Sequence, residues 1–298
     1  MRIGITGSHG FIGSNLSNDL LQSGLQRDAV EGFDRGKFDL FDISSLKAFV
    51  EDKDVIVHLA GANRTCANDL VRVNTQGTLN LLEAIRKYNV ANHIRFIFAS
   101  SLQVYGFCSS LKFLKESHPT KAKTMYGLSK KFAEDIVEKY KDEYGLRALT
   151  LRIASVYGQR CKPFYNSVIS TFIYQALKDL PITIYGAGRS SRDFIYVKDL
   201  TNIILEAMRL KIKTATVNIC TGIPVNVGDL AKKIAEIIGK KLSITRNEEM
   251  QDNFLVGDPS LCRRLFDFAR PTVLEDGLKQ TIQWFRDNSN VSNVSKPI

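Results

Sequence analysis

Tyr126 and Lys130, in the run Tyr126-Gly127-Leu128-Ser129-Lys130, stand four residues apart at the start of a predicted helix and so project from one face of it. A free tyrosine, with a pKa of about 10, is a poor base at neutral pH, but an ammonium held beside the phenol favours the phenolate. The pair could therefore take and return a proton. Alone, Y-x-x-x-K is a common surface pattern, and only its context gives it meaning.

Near the N-terminus, Thr6-Gly7-Ser8-His9-Gly10-Phe11-Ile12-Gly13 joins an apolar strand to a helical pattern. In that context a Gly-x-x-Gly-x-x-Gly turn lets backbone N–H groups and a helix N-terminus hold a pyrophosphate. Gly7, Gly10, Phe11, Ile12 and Gly13 are therefore read as dinucleotide-binding. A second strand, Val30-Glu31-Gly32-Phe33-Asp34, ends on an acid about 20 residues further on, the spacing that serves an adenosine ribose. A carboxylate at Asp34 repels a 2′-phosphate and favours NAD. Adjacent Arg35 could stack on adenine or attract that phosphate, which keeps NADP open.

Strand-like runs alternate with helical ones through the first half: 3–6 then 11–23, 54–59 then 73–88, 95–100 then 125–144, and finally 149–155. Near-continuous apolar strands such as Val55-Ile56-Val57 and Phe96-Ile97-Phe98 predict an α/β fold, a parallel sheet covered on both faces. From about Cys161 the pattern changes to Pro- and Gly-punctuated segments, with helices near 167–178, 200–210, 227–238 and 274–286. We expect a dinucleotide-binding domain over 1–160, with part of 193–222 returning to it, and an interleaved, smaller, mixed substrate-binding region over 161–298. The polar, Ser- and Asn-rich tail, 288–298, is expected to fray.

With 298 residues and 44% hydrophobic content, the chain is long enough to bury a full core. No apolar run approaches the roughly 18 residues that span a bilayer, and Met1-Arg2-Ile3-Gly4-Ile5 reads as a strand and not a signal peptide. A cytoplasmic location without membrane insertion is expected. Five scattered cysteines without a C-x-x-C pair, and four histidines without ligand spacing, argue against a disulfide framework and against a metal. The net charge of +10 reads as a lysine-rich solvated surface and not a nucleic-acid site, because Lys and Arg are dispersed among acids and no basic-aromatic motif occurs.

Further motifs follow in order: Asp39-Leu40; His58-Leu59-Ala60; Asn74-x-x-Gly77-Thr78-x-Asn80-Leu81-Leu82-Glu83-Ala84; Ser100-Ser101-x-x-Val104-Tyr105-Gly106; Arg152 through Val156-Tyr157-Gly158; and Arg192-Asp193-Phe194-Ile195-Tyr196-Val197-x-Asp199. With the glycine turn and Tyr126/Lys130, this series resembles the extended short-chain dehydrogenase/reductase family over nearly its whole length, in the nucleotide-sugar epimerase/dehydratase branch typified by UDP-galactose 4-epimerase. The resemblance implies a Rossmann-type doubly wound sheet. It makes Ser101 the hydroxyl that hydrogen-bonds the reacting sugar oxygen, Tyr126 the acid/base, and Lys130 the residue that lowers the tyrosine's pKa and holds the nicotinamide ribose. It further implies adenine contacts from Asp39 and Leu40, and cofactor contacts from Leu59, Ala60, Gly61 and Asn74. Asn166, Tyr185 and Arg192 match positions that hold the base and diphosphate of a sugar nucleotide, and a homodimer through helices 73–88 and 125–144 is implied as well.

The chain also departs from the branch. Its 4,6-dehydratases carry an Asp-Glu pair directly after the hydroxyl residue, since elimination of water needs an extra acid and base; Leu102 and Gln103 stand there, which argues against dehydration and decarboxylation. Only four residues separate Asp34 from Asp39, so one wall of the adenosine pocket is abbreviated. Gln159 replaces the usual proline, Ser155 the usual Asn, and the family's late diphosphate-binding arginine has no clear counterpart around Gln251-Asp252. The expected function is a nucleotide-sugar 4-epimerase with tightly bound NAD. The segments Gly61-Ala62-Asn63-Arg64 and Cys161 through Ile169 resemble bacterial capsule-sugar 4-ketoreductases, which makes an NAD(P)H-dependent reductase the alternative and a non-catalytic dinucleotide-binding protein the third reading.

Overall fold

A computed structural model describes residues 1–24, 29–89, 94–186, 188–210, 215–241, 243–247 and 252–288; the expected frayed tail beyond Asn288 lies outside the described residues. Two compact units are formed, one from Met1–Gly106, Pro119–Arg152 and Thr201–Val217, the other from Phe107–His118, Ile153–Leu200 and Asn218–Ile298.

In chain order, the first half contains β1 (Ile3–Thr6), α1 (Phe11–Gln22), β2 (Val30–Gly32), α2 (Lys47–Val50), β3 (Val55–His58), α3 (Ala67–Val71), α4 (Gly77–Tyr88), β4 (Arg95–Ser101), β5 (Phe113–Leu114), α5 (Met125–Tyr144) and β6 (Arg147–Ile153). The second contains β7 (Ser155–Tyr157), α6 (Val168–Leu177), β8 (Ile182–Tyr185), β9 (Ser191–Tyr196), α7 (Val197–Arg209), β10 (Ala215–Ile219), β11 (Pro224–Asn226), α8 (Val227–Ile238), β12 (Ile244–Asn247), β13 (Phe254–Gly257), α9 (Ser260–Leu265) and α10 (Leu274–Asp287).

The parallel sheet expected from the alternation is present as the doubly wound sheet that the resemblance implies, with six strands in the order β10-β6-β4-β3-β1-β2. β1 pairs in parallel with both β2 and β3, and β3 with β4. Residues of β1 and β3 are buried on both faces, as their unbroken apolar runs require. The strand order turns back at β1, and it is at such a reversal that open α/β sheets take their ligands. The core of the first unit includes Leu46, Phe49, Ile56, Phe96, Ile85 and Val137. Phe33, Phe38 and Phe49 meet there with ring centroids 5.1–5.5 Å apart, so aromatic packing anchors the abbreviated segment between Asp34 and Asp39.

α5 is capped at both ends. Thr124 caps its start by accepting from the Gly127 N–H at 3.0 Å, and Gly145 ends it at φ +68°, a conformation glycine reaches without strain.

The second unit carries a mixed sheet in the order β11-β9-β13-β5, with β7 also on β9: β11 runs antiparallel to β9 while β13 and β7 run parallel to it. A separate pair, β12 and β8, is parallel. Among the described residues no helix is long and apolar enough to cross a membrane, and no group of His, Cys, Asp and Glu could hold a metal ion.

Candidate active site

The glycine turn leaves β1 at the point of strand reversal. Gly7 sits at φ +70°, and a Cβ there would stand 2.8 Å from the Ala60 nitrogen; a Cβ on Gly13 would stand 2.2 Å from the Gly7 carbonyl oxygen. Any larger residue would push the turn off the end of β3 or the helix off the turn. α1 then begins with Gly10 as its N-cap, no side-chain cap and no acid in its first turn. Its first N–H groups, from Phe11, Ile12 and Gly13, lack intrahelical acceptors and carry the positive end of the helix dipole. A pyrophosphate fits such a cradle.

Beneath the turn runs a buried chain of hydrogen bonds. Thr6 Oγ1 meets His58 Nδ1 at 2.6 Å and accepts from the Ala60 N–H at 3.1 Å; His58 Nε2 meets Thr78 Oγ1 at 2.9 Å, and that hydroxyl donates to the Asn74 carbonyl at 2.7 Å. Since the Thr78 hydroxyl proton is committed to Asn74, Nε2 carries the imidazole proton and Nδ1 accepts from Thr6. Burial, aided by the Lys130 charge, pushes the His58 imidazolium down to about 3, so the ring is neutral.

A π turn, Arg72–Gln76, joins α3 to α4 and delivers Asn74 to the interior. Its amide accepts from the Ala62 N–H at 2.8 Å and donates to the Ala62 carbonyl at 3.0 Å and to Ser129 Oγ at 2.9 Å. Both amide protons are thus used to tie the loop after β3 to α5.

On the adenosine side, Asp34 and Arg35 are exposed. Asp34 Oδ1 accepts from the Gly36 N–H at 2.9 Å and its carbonyl from Lys37 and Phe38, so the acid shapes the short turn it opens. Asp39 Oδ1 accepts from the Phe41 N–H at 2.9 Å, and the Leu40 carbonyl is held by the Asn80 amide at 2.8 Å. Leu59 and Ala60 are half-buried and Gly61 is exposed at the end of β3.

Ser101 ends β4 and precedes a 3-10 turn, Leu102–Tyr105; its hydroxyl accepts from the Gln103 N–H at 3.2 Å. The start of α5 abuts that turn, for a Cβ on Gly127 would come within 2.5 Å of the Gln103 carbonyl oxygen, and Thr124 Oγ1 donates to Gln103 Oε1 at 3.0 Å. Ser101 and the half-buried Tyr126 are thereby carried on abutting pieces of backbone. Lys130 Nζ, buried, donates to the Ala99 carbonyl at 2.9 Å, lies 5.2 Å from the centre of the Phe98 ring, and would be 3.2 Å from a Cβ on Gly61. Burial pushes this ammonium down to about 8, against the Glu134 carboxylate that holds it up.

Every cofactor and catalytic residue expected from the sequence lies in the first unit; Asn166, Tyr185 and Arg192 lie in the second. Asn166 Oδ1 accepts from the Lys162 N–H at 2.8 Å and closes its own loop, whereas Tyr185, at the end of β8, is 56% exposed. Arg192 packs 4.8 Å from the centre of the Phe107 ring and donates to the Ser191 and Asn253 carbonyls and to the Asn253 side chain. Burial pushes its guanidinium down to about 10.

Sequence reasoning passed over Thr6, His58, Thr78, Asn80 and Thr124 as parts of the site. Their signal was present, since His58, Thr78 and Asn80 sit inside the motifs quoted and Thr124 precedes a helix as a cap does.

The model of the NAD dependent epimerase/dehydratase family matches residues 3–220. A protein of Methanocaldococcus jannaschii, provisionally named UDP-glucose 4-epimerase, is 30% identical, covering 96% of this chain and 98% of its own. The GDP-6-deoxy-D-talose 4-dehydrogenase of Aggregatibacter actinomycetemcomitans is 33% identical over 87% of this chain and 89% of its own. The crystal structure of Thermus thermophilus UDP-glucose 4-epimerase in complex with NAD is similar with a TM-score of 0.84 at 27% identity, covering 97% of this chain and all of that one.

Proposed function

The chain belongs to the NAD-dependent epimerase/dehydratase family, and from that premise we propose that it is a nucleotide-sugar 4-epimerase. The observation that carries this reading is the turn after Ser101. Leu102 is buried, and the Gln103 side chain is engaged by Thr124 at 3.0 Å, so the two places where elimination needs an acid and a base are filled by packing and by a neutral amide. What remains is a hydroxyl, a phenol and a buried ammonium, the set for moving one proton to and from one sugar oxygen.

In this reading Tyr126 accepts the proton of the C4 hydroxyl and later returns it. Ser101 donates a hydrogen bond to the same oxygen, and Lys130 favours the phenolate while holding the nicotinamide ribose. Bound NAD would supply reversible hydride exchange at the sugar carbon. Gly7, Gly10, Phe11, Ile12 and Gly13 would hold its pyrophosphate, Asp34 its adenosine ribose, and Asp39 and Leu40 its adenine; Leu59, Ala60, Gly61 and Asn74 would shape the remainder. Arg192, with Asn166 and Tyr185, would serve the diphosphate and base of the substrate.

Incubating the purified protein, without added cofactor, with a panel of UDP- and GDP-sugars tests this. Interconversion of C4 epimers is expected, and a folded protein that converts none of them contradicts it. A second reading, a 4-ketoreductase, is favoured by the likeness to a GDP-6-deoxy-D-talose 4-dehydrogenase and by the segment Cys161 through Ile169. Stoichiometric loss of absorbance at ~340 nm, the reduced nicotinamide band, on adding a 4-keto-6-deoxy sugar nucleotide with NAD(P)H would select it.

A further inference from the structure

Tyr126 and Lys130 share their face of α5 with a third polar residue, Glu134, one turn beyond the lysine. Its carboxylate is buried and takes its bonds from buried partners. It accepts from Ser100 Oγ at 2.5 Å, from Arg152 Nε at 3.0 Å and from Arg152 Nη2 at 2.8 Å. Arg152, on β6, is buried too; its Nη1 donates to the Tyr105 hydroxyl at 2.9 Å and its guanidinium lies 4.8 Å from the centre of that ring. Ser100 immediately precedes Ser101, and Tyr105 closes the 3-10 turn that follows it. Both flanks of Ser101 therefore hang on one ion pair rooted in the helix that carries Tyr126 and Lys130.

Such a pair is a poor choice for stability alone, because each charge loses its water and apolar packing of equal volume commonly does as well or better. Its bonds here go to residues that flank the site. We infer that Glu134, clamped by Arg152, is a positioning residue that keeps Lys130 protonated in its dehydrated seat and Ser101 in register with Tyr126. The inference rests on the proposed roles of those three residues.

Lys130 is held between burial, which drives its proton off, and the Glu134 charge, which retains it. Tyr126 shares its helix face; from β3 comes His58, neutral; from β4 come the Phe98 ring and the Ala99 carbonyl; and from β6 Arg152 faces Glu134. A neutral amide at 134 would withdraw the only opposing negative charge among these and leave the Arg152 cation uncompensated, so Lys130 would release its proton at lower pH.

The test is an NMR titration of the full-length protein labelled at lysine Cε, with Lys130→Arg used to assign the resonance. A midpoint of about 8 is expected for the wild type, lowered by about one unit in Glu134→Gln and kept near the wild-type value in Glu134→Asp. If Glu134→Gln does not fold, Glu134→Gln/Arg152→Met, which strands no buried charge, is titrated in its place with a smaller lowering expected. In parallel, the alkaline limb of the kcat profile should move with the midpoint while KM for the sugar nucleotide stays constant. An unmoved or raised midpoint overturns the inference, as does a fall in kcat with both limbs in place, the mark of a merely structural pair. Should the wild type turn over no sugar nucleotide, the functional reading fails while the titration still decides this one.

Discussion

The part of the first unit that carries Ser101, Tyr126 and Lys130 is tied together by side-chain hydrogen bonds between its elements, whereas the second unit's candidates for the substrate are bonded within their own loop, to a neighbouring segment or, at Tyr185, present an exposed ring. Around Lys130, the side chains of Asn74, Ser129, Thr124 and Gln103 bond to one another or to nearby backbone, and the glycines at 7, 13 and 127 let backbone segments meet at distances no side chain would permit. In the second unit Asn166 stabilises its own loop, Arg192 is engaged by Asn253, and Tyr185 stands open. On the proposed function the contrast separates a proton-transfer site, which would lose rate if it shifted, from residues meant for the substrate, whose side chains could change and the ligand with them.

The largest effect is expected at Tyr126. Tyr126→Phe should lower kcat by roughly a thousandfold, the scale of a lost general acid/base, with the amount of retained NAD unchanged; steady-state kinetics and mass spectrometry of released cofactor check both. Gly13→Val should come next. Its side chain would strike the Gly7 carbonyl, and overpacking of about 1–3 kcal/mol predicts a drop in NAD affinity of roughly tenfold or more, read by calorimetric titration. Arg192→Met tests the other side: KM should rise about tenfold, the worth of a charge-assisted hydrogen bond, with kcat little changed. A lower melting temperature at constant KM would instead mark Arg192 as internal scaffolding and erase the contrast between the units.

The smallest expected effect lies in the buried chain under the turn. His58 is depressed from an ordinary value of 6.5 to about 3, so between those values the unfolded chain binds a proton that the folded one refuses. Stability is then fully present above about pH 6.5 and declines as pH falls toward 3. The melting temperature of the wild type should drop between pH 7 and pH 5 more steeply than that of His58→Asn; equal slopes would remove His58 from the account.

Much of this was legible in the chain. The glycine turn, the unbroken apolar strands and the helix bearing Tyr126 and Lys130 announced themselves by local pattern, and α5 begins and ends at the predicted residues because a cap and a left-handed glycine mark both ends. The π turn at Arg72–Gln76 did not, since its side chains keep a helical period and only the backbone bonds differ. Strands as short as β11 and the pair β12 and β8 carry too few residues for an alternation to register. Asp34 was legible as an acid in the right place, but its use in the turn with Gly36 depends on the shortened segment folding back over Phe33 and Phe38. The Glu134–Arg152 pair joins residues 18 apart through the core, which no local pattern reports.

The proposed chemistry is reversible hydride transfer at a sugar carbon, with Tyr126 moving the proton. A UDP-sugar deuterated at C4, incubated with the protein in ordinary water and followed by NMR, tests it most directly. Both C4 epimers should appear with the deuterium still at C4, and Tyr126→Phe should form almost none of the second epimer. Loss of the label to solvent, or undiminished conversion by Tyr126→Phe, would contradict the account.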